Sequence, residues 1–269
     1  MATNEQTNTL RRLVIRVGKG SLMFATTDDQ SQVVFEQYPI NSTITMAANL
    51  REALRTSSIL TTYQYQRTLV MVDSPTMMVP TELFREEDKA EVYFHAFTKR
   101  TQQTVMHTVL PDLSCVALFS IDKDLLAVLN DYGRQLTIVA AMVPVWHHLY
   151  QRSLTGTHKK LYGYFHDRRL EVVNFRKNHF NFCNTFTVNN GNNALYYLLG
   201  VRKQLGMERE HDELHLAGDL PDEEGLMNEA RHYVKRVFYI NPSGEFNRAP
   251  VAQISGMPYD LMTLFVKGR

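Results

Sequence analysis

Residues 211–215 contain two histidines at a spacing that binds zinc on some helices. The run reads His211-Asp212-Glu213-Leu214-His215, and a helix would place both imidazoles on one face, as in the His-Glu-x-x-His motif. However, the residue after the first histidine is Asp instead of Glu. Residues 214–217 also favour a strand, which would separate the two rings along an extended chain. We therefore predict no metal site in this run.

Other residues with reactive or ligand-binding side chains lack the neighbours that catalysis needs. Cys115 and Cys183 have no nearby histidine pattern that would favour a nucleophile. His147 and His148 are adjacent, and adjacent residues on a helix do not face one ligand. The Gly-Lys-Gly-Ser run at residues 18–21 is too short for a phosphate loop and is predicted to be a turn between strands. We predict no catalytic residue.

Basic and aromatic residues alternate in one part of the second half of the chain. On a sheet, such residues can stack and hold single-stranded RNA. The alternative is that the aromatic side chains belong to the core and the cations lie at solvated turns. The residues concerned are Arg168, Arg169, Arg176, Lys177, Tyr164, Phe165, Phe175 and Phe180.

Composition limits the partners that overall charge could attract. The chain has 269 residues, 44% of them hydrophobic, and its 29 Lys and Arg nearly balance its 28 Asp and Glu. A formal charge of +1 does not favour bulk DNA or an anionic membrane. Two cysteines do not make a disulfide scaffold, residues 1–10 are too polar for a secretory signal, and no apolar run is long enough to span a membrane. We expect a cytoplasmic protein.

The first half reads as a β-meander followed by helices and buried strands. Three apolar runs separated by short turns predict an antiparallel meander over residues 13–38. A helix capped by Ser42 or Thr43 should follow, and then a strand at residues 68–72. Further on, we predict a strand at 116–121, a helix from Asp122, a buried strand at 136–142 and a helix from residue 144.

The second half repeats this order of elements. Residues 160–188 predict another meander, in which Phe180, Phe182, Phe186 and Val188 share one face. A helix capped within residues 189–193, a strand at 214–217, a helix, a strand at 238–240 and a terminal helix complete the half. We place the boundary between the halves in the polar run at residues 152–158.

The repeated unit resembles the lobes of actin-like ATPases, which have a ribonuclease H-like fold. Within that superfamily the chain is similar to pilus-assembly and secretion-system scaffolds and to a bacterial family of unknown function. The resemblance implies a duplicated α/β fold, with one lobe at 1–152, an insertion at about 79–115 and a second lobe at 158–269. The segments that carry it are "LVIRVGKGSLM" (13–23), "VALFSIDKDLLAVLNDYGRQLTIVAAMVPVWHHLY" (116–150) and "LHLAGDLPDEEG" (214–225).

The family's nucleotide-binding motifs are degenerate in this chain. The first phosphate hairpin of the family carries an acid that holds Mg²⁺, then one residue, then Gly. Gly18 matches the Gly, but Arg16 stands in the acid's place, and a guanidinium repels a metal ion. Gly218 matches the first Gly of the adenosine motif, whereas Asp219 replaces the second.

Two further positions complete the comparison with the family. The second hairpin, at residues 162–169, has no acid-x-Gly pair and has aromatic residues where backbone amides should approach phosphate. Asp73 follows a buried strand, where this fold often keeps a catalytic carboxylate. The alternative for Asp73, which we favour, is a structural turn at the strand end.

We therefore expect a non-catalytic scaffold or partner-binding protein that acts on an unidentified protein partner or by self-association. ATP turnover is not expected, because phosphoryl transfer needs a metal, a phosphate cradle and a positioned water together. One alternative is a nucleotide-binding protein or weak ATPase that uses Asp73, Gly218 and Asp219. Another is an RNA- or ribosome-associated accessory that uses the basic and aromatic residues described above.

Overall fold

The computed structural model describes residues 11–98, 101–177 and 179–267. The chain divides into two compact units. Of the described residues, the first unit contains those up to Met77 and those within Phe84–Thr108 and Ala117–Ala141. The second contains those within Met78–Leu83 and Val109–Val116 and those from Met142 onward. The predictions that residues 1–10 are not a secretory signal and that a turn lies at Asn178 fall outside the described residues.

The regular elements alternate between strands and helices along the chain. The strands are β1 (Arg12–Val17), β2 (Ser21–Thr27), β3 (Val33–Pro39), β4 (Arg67–Val72), β5 (Thr76–Pro80), β6 (Gln103–Leu110), β7 (Cys115–Asp122), β8 (Leu136–Ala140), β9 (Lys160–His166), β10 (Arg169–Arg176), β11 (His179–Thr187), β12 (Glu213–Gly218) and β13 (Arg236–Tyr239). The α-helices are α1 (Met46–Thr56), α2 (Ser58–Thr62), α3 (Lys89–Ala96), α4 (Lys123–Tyr132), α5 (Val143–Ser153), α6 (Gly191–Gln204), α7 (Glu223–Tyr233), α8 (Pro242–Glu245) and α9 (Tyr259–Lys267).

The two five-stranded sheets have the same topology, which confirms the predicted duplication. The first has the order β3-β2-β1-β4-β8 and the second the order β11-β10-β9-β12-β13. In each sheet an antiparallel meander is followed by two strands parallel to the first strand of that meander. Parallel strands need crossover connections, and the intervening helices supply them.

The helices begin largely where side chains can cap them. Asp122 accepts hydrogen bonds from the amides of Asp124 and Leu125 at the start of α4, as the sequence predicts. The prediction of Ser42 or Thr43 as the cap of α1 was wrong, because Thr45 accepts from the amide of Ala48. In the described part of the chain, no helix combines the length and apolar character that a bilayer span requires.

The inserted segment contains structure that the sequence only partly indicates. A third sheet has the order β5-β7-β6. The sequence favours a strand at residues 104–110, where β6 lies, and partly helical structure within residues 82–96, where α3 lies. It does not predict β5.

Buried side chains pack on both faces of the sheet in the second unit. On one side of the sheet, α6 and α7 cover residues such as Leu161, Phe165 and Leu216. Neighbouring residues of a strand point to opposite faces, so Tyr162 meets a different set of side chains, including Phe175 and His215. Helices α5 and α9 pack against each other within this unit.

A β-bulge in the second meander corrects the predicted face of β11. The register passes from Asn174 opposite Phe182 to Phe175 opposite Phe180, so Asn181 is the extra residue. As a result, Phe180 contacts Phe175 and Trp146, whereas Phe182 and Phe186 pack against the core cluster of α6 and α7. The prediction that all these phenylalanines share one face was wrong.

Strand β8 is less buried than the sequence predicts. A continuous apolar run predicted a buried strand, yet β8 lies at the edge of its sheet and only Ala140 within it is fully buried. The strand is also shorter than predicted, because residues 141 and 142 form the turn into α5.

Candidate functional site

The first hairpin places Arg16 over the glycine at its tip. Strand β1 ends at Val17, and the amide of Gly18 donates to the carbonyl of Ser21 over 3.0 Å. Arg16 is only 2% exposed. A Cβ built on Gly18 would lie 2.7 Å from Nη1 of Arg16, so the guanidinium covers the α-carbon of this glycine. The guanidinium of Arg16 therefore fills the space beside this glycine.

Asp73 lies at the same end of the first sheet. Its amide donates to the carbonyl of Val17 over 2.9 Å, which extends the pairing of β1 and β4 by one residue. The pairing of β1 and β4 thus brings Gly18 and Asp73 to the same end of the sheet.

Gly218 and Asp219 belong to the second unit, where packing explains the glycine. Gly218 has φ +86°, and a Cβ there would lie 2.1 Å from the carbonyl oxygen of Phe165 and 2.8 Å from the ring of Tyr164. The amide of Asp219 donates to the same carbonyl over 2.9 Å. Tyr164 is 1% exposed. The space over this glycine is therefore filled from within the unit.

The tip of the second hairpin is formed by residues other than the aromatic ones. Asp167 and Arg168 connect β9 to β10 with φ +45° and +60°, the conformation of a tight two-residue hairpin turn. Tyr164 and Phe165 lie inside β9 and are buried. The aromatic residues of this hairpin are therefore buried strand residues, and its tip is formed by Asp167 and Arg168.

The basic and aromatic residues of this meander do not form one surface. Arg168 and Arg169 lie at one end of β10, and Arg176 and Lys177 lie at its other end. An eight-residue strand separates its ends by roughly 24 Å. Phe165 belongs to the buried core, and Phe180 packs on Trp146. These residues therefore do not form the basic and aromatic surface on which the RNA hypothesis depends.

The two histidines of residues 211–215 contact different partners. His215 lies in β12, as the predicted strand requires, with its ring stacked on Phe238 and Nε2 2.9 Å from Oε2 of Glu213. Burial lowers the pKa of His215. His211 precedes the strand, and its ring stacks on that of His158.

Burial also lowers the reactivity of the cysteines. It raises the pKa of the Cys115 thiol to about 11 and raises that of Cys183 as well. A nucleophilic cysteine needs the opposite shift.

An ionic cluster that sequence reasoning missed ties α5 to α8. Glu245 has one carboxylate oxygen 2.9 Å from Nε2 of His148, and its other oxygen pairs with Arg152. These contacts, with His148 the stronger, lower the pKa of Glu245 to about 2 despite partial burial. Every polar atom of this carboxylate is engaged, so we interpret the cluster as a structural tie.

A pocket of about 490 Å³ lies within the second unit and was also missed. It forms where the loop before α6 and the loop before α7 meet, so both helices begin at its wall. For part of this lining, residues 189–193, the sequence predicts a helix cap but no pocket. The lining consists of Asn189, Asn190, Gly191, Asn192, Leu195, Pro221, Asp222, Gly225, Leu226 and Glu229.

Comparison with known proteins agrees with the repeated topology. Residues 2–237 match the family described as protein of unknown function, DUF3822. The chain belongs to the DUF3822 family. No curated protein shows significant similarity to this DUF3822 chain.

Two solved structures similar to this DUF3822 chain show its fold. A Bacteroides thetaiotaomicron protein with an actin-like ATPase fold and unknown function is 26% identical, with a TM-score of 0.84 over 98% of this chain and 99% of that one. A chain of a PilM–PilN type IV pilus biogenesis complex is 11% identical, with a TM-score of 0.53 over 95% of this chain and 97% of that one. The predicted actin-like fold and resemblance are confirmed.

Proposed function

We propose that this DUF3822 protein is a non-catalytic, partner-binding protein that has kept the actin-like fold without its nucleotide chemistry. One observation carries the proposal. At both glycines that match the family's nucleotide motifs, the protein's own side chain fills the adjoining space: Arg16 at Gly18, and Tyr164 at Gly218. Nucleotide binding would require backbone that phosphate and ribose can approach.

The charges around these positions support the same proposal. Arg16 stands where the family holds a metal-binding acid, and Asp219 follows Gly218 where a second glycine is expected. A cation at the metal position and an acid near the nucleotide both oppose Mg-ATP. We therefore propose that the protein uses neither ATP nor a resident metal.

Protein partnering is supported by one structural neighbour. The PilM–PilN neighbour is a complex of two proteins in type IV pilus biogenesis. Its similarity to this chain is one of fold, and it shows that an actin-like fold can serve protein assembly. The partner of this chain is identified only as a protein, or as a second copy of the chain itself.

Phosphate release from Mg-ATP tests the absence of catalysis. Wild-type protein and Asp73→Asn should both release phosphate at the rate of a buffer blank. Asp73 follows a buried strand, where this fold often keeps a catalytic carboxylate. Release that depends on Asp73 would therefore come from this protein, whereas release that does not depend on it would come from a contaminating enzyme. Release by the wild type that disappears in a folded Asp73→Asn protein would overturn the proposal.

A further inference from the structure

Strand β3 forms one edge of the first sheet. Its pairing with β2 runs in unbroken register from Val33 opposite Thr27 to Pro39 opposite Ser21. Among the described residues no further strand of this sheet lies beyond β3, so one side of its backbone faces no neighbouring strand. The unpaired N–H and C=O groups of such an edge can pair with a strand of another chain.

The hydrogen-bond pattern shows which residues of β3 direct their backbone groups outward. The amide of Asp28 donates to the carbonyl of Gln32 over 2.8 Å, so these two residues form a hydrogen-bonded pair. Such pairs alternate with non-hydrogen-bonded pairs along an antiparallel ladder. Every second residue after Gln32 therefore bonds to β2, and the residues between them face away from it. The outward-facing residues with both a donor and an acceptor are Val33, Phe35 and Gln37.

The edge of β3 lacks most of the features that keep edge strands from pairing. Natural edge strands are blunted by short length, a lysine, a proline or a bulge. Strand β3 has seven residues in unbroken register, contains no Lys or Arg, and ends with its proline. The carboxylate of Glu36 accepts from the hydroxyl of Ser58 and the amide of Ile59, so this charge is held at the start of α2. The backbone edge therefore remains suited to strand pairing.

We propose that β3 pairs antiparallel with β3 of a second copy of the chain, about a two-fold axis at Phe35. A two-fold interface uses the same surface on both subunits. In this register Phe35 lies opposite its counterpart and Val33 lies opposite Gln37 of the second copy, so all the outward-facing residues exchange backbone hydrogen bonds. This inference rests on the proposed partner-binding function and names the partner as a second copy.

Charge and side-chain type favour this register. Cross-strand aromatic pairs are favourable, whereas like charges directly opposite each other are unfavourable. With the axis at Phe35, Glu36 lies opposite Val34 of the second copy, so the two carboxylates do not face each other. An axis at Glu36 would place them directly opposite. Phe35 is half-buried in the single chain, so part of its ring is available to its counterpart.

Sedimentation equilibrium of the full-length protein, measured over a range of concentrations, tests the oligomeric state. We expect a monomer–dimer equilibrium. Phe35→Lys would place two ammonium groups opposite each other and should weaken dimerisation by at least about tenfold. The control is Thr137→Lys, which introduces the same charge on β8, the other edge strand of this sheet, and should leave dimerisation unchanged.

Hydrogen exchange locates the contact in the unmodified protein and does not depend on the folding of a variant. The amides of Val33, Phe35 and Gln37 should exchange more slowly as the protein concentration rises, because they become hydrogen-bonded in the dimer. The amide of Ile138 is the control. It faces outward from β8, since the amide of Ala141 donates to Val72 and alternate residues point the same way, and its exchange should not change.

A protein that stays monomeric, a dimer that Phe35→Lys leaves intact, or equal weakening by Thr137→Lys would overturn the assignment. Protection of the β3 amides that does not depend on protein concentration would also overturn it, because the edge would then be covered within one chain. Such a failure leaves the non-catalytic proposal intact, since Mg-ATP decides that proposal. Conversely, ATP turnover would remove the proposed function whether or not the protein dimerises.

Discussion

Nη1 of Arg16 lies so close to Gly18 that a Cβ on this glycine would be 2.7 Å from it. The contact joins the two residues that we compared, in the sequence, with the acid and the glycine of the family's first hairpin. Arg16 is almost fully buried, and a buried charge is retained only when its surroundings compensate it. The guanidinium is therefore part of the first unit's structure.

Replacement of Arg16 should cost stability. We expect Arg16→Gln to lower the free energy of unfolding by about 2–3 kcal/mol, since buried groups that now face the guanidinium lose their partner. Arg51→Gln on the exposed face of α1 removes the same charge and should change stability by less than about 0.5 kcal/mol. Urea unfolding measures both. Equal effects would show that Arg16 has no structural role.

Replacement by alanine should have opposite effects on stability at Gly218 and at Gly200. Gly218→Ala should destabilise by roughly 3 kcal/mol or more, because alanine at φ +86° is strained and its Cβ meets the carbonyl of Phe165. Gly200 lies within α6 with open space around its α-carbon. Gly200→Ala should stabilise by about 0.5–1 kcal/mol.

Thermal or urea unfolding of the two alanine variants measures this contrast. A Gly218→Ala protein as stable as the wild type would show that Tyr164 and Phe165 do not fill the space over Gly218. Nucleotide access to this glycine would then need to be reconsidered.

The contacts of the Glu245 carboxylate should make a contribution to stability that depends on pH. Its pKa is lowered from 4.5 to about 2 in the folded protein, so the folded state binds the proton less readily than the unfolded state. The contribution is therefore complete above about pH 5, falls as the pH falls, and is lost below about pH 2. Glu245→Gln should cost at most about 3 kcal/mol at neutral pH.

Urea unfolding of wild type and Glu245→Gln at several pH values checks this sign. The difference between the two proteins should shrink steadily between pH values of about 5 and 2. A difference that stays constant over that interval would mean that the contacts with His148 and Arg152 do not hold the carboxylate charged.

Much of the fold could be predicted because local signals agree with it. Short polar turns such as residues 28–31 separate the meander strands, and Asp122 marks the start of α4 by its capping chemistry. The repeated order of elements then indicated the duplicated topology. These features depend on residues close together in the sequence.

The rest depends on contacts that sequence spacing does not encode. The bulge at Asn181 reverses Phe180 because an extra residue interrupts the alternation of faces. The ring of Tyr164 reaches Gly218 only after β9 and β12 pair. The pocket forms because two helix starts that are distant in sequence become neighbours. The sequence shows that Arg16 stands in place of the family's acid, but it does not show that the guanidinium lies over Gly18.

A thermal-shift titration with Mg-ATP tests the central claim most directly. A ligand that binds the folded state must raise its stability by an amount that grows with ligand concentration. With Arg16 over Gly18 and Tyr164 over Gly218, we predict no concentration-dependent rise in melting temperature beyond that produced by Mg²⁺ and inorganic phosphate at equal ionic strength. A saturable rise specific to Mg-ATP would contradict the account.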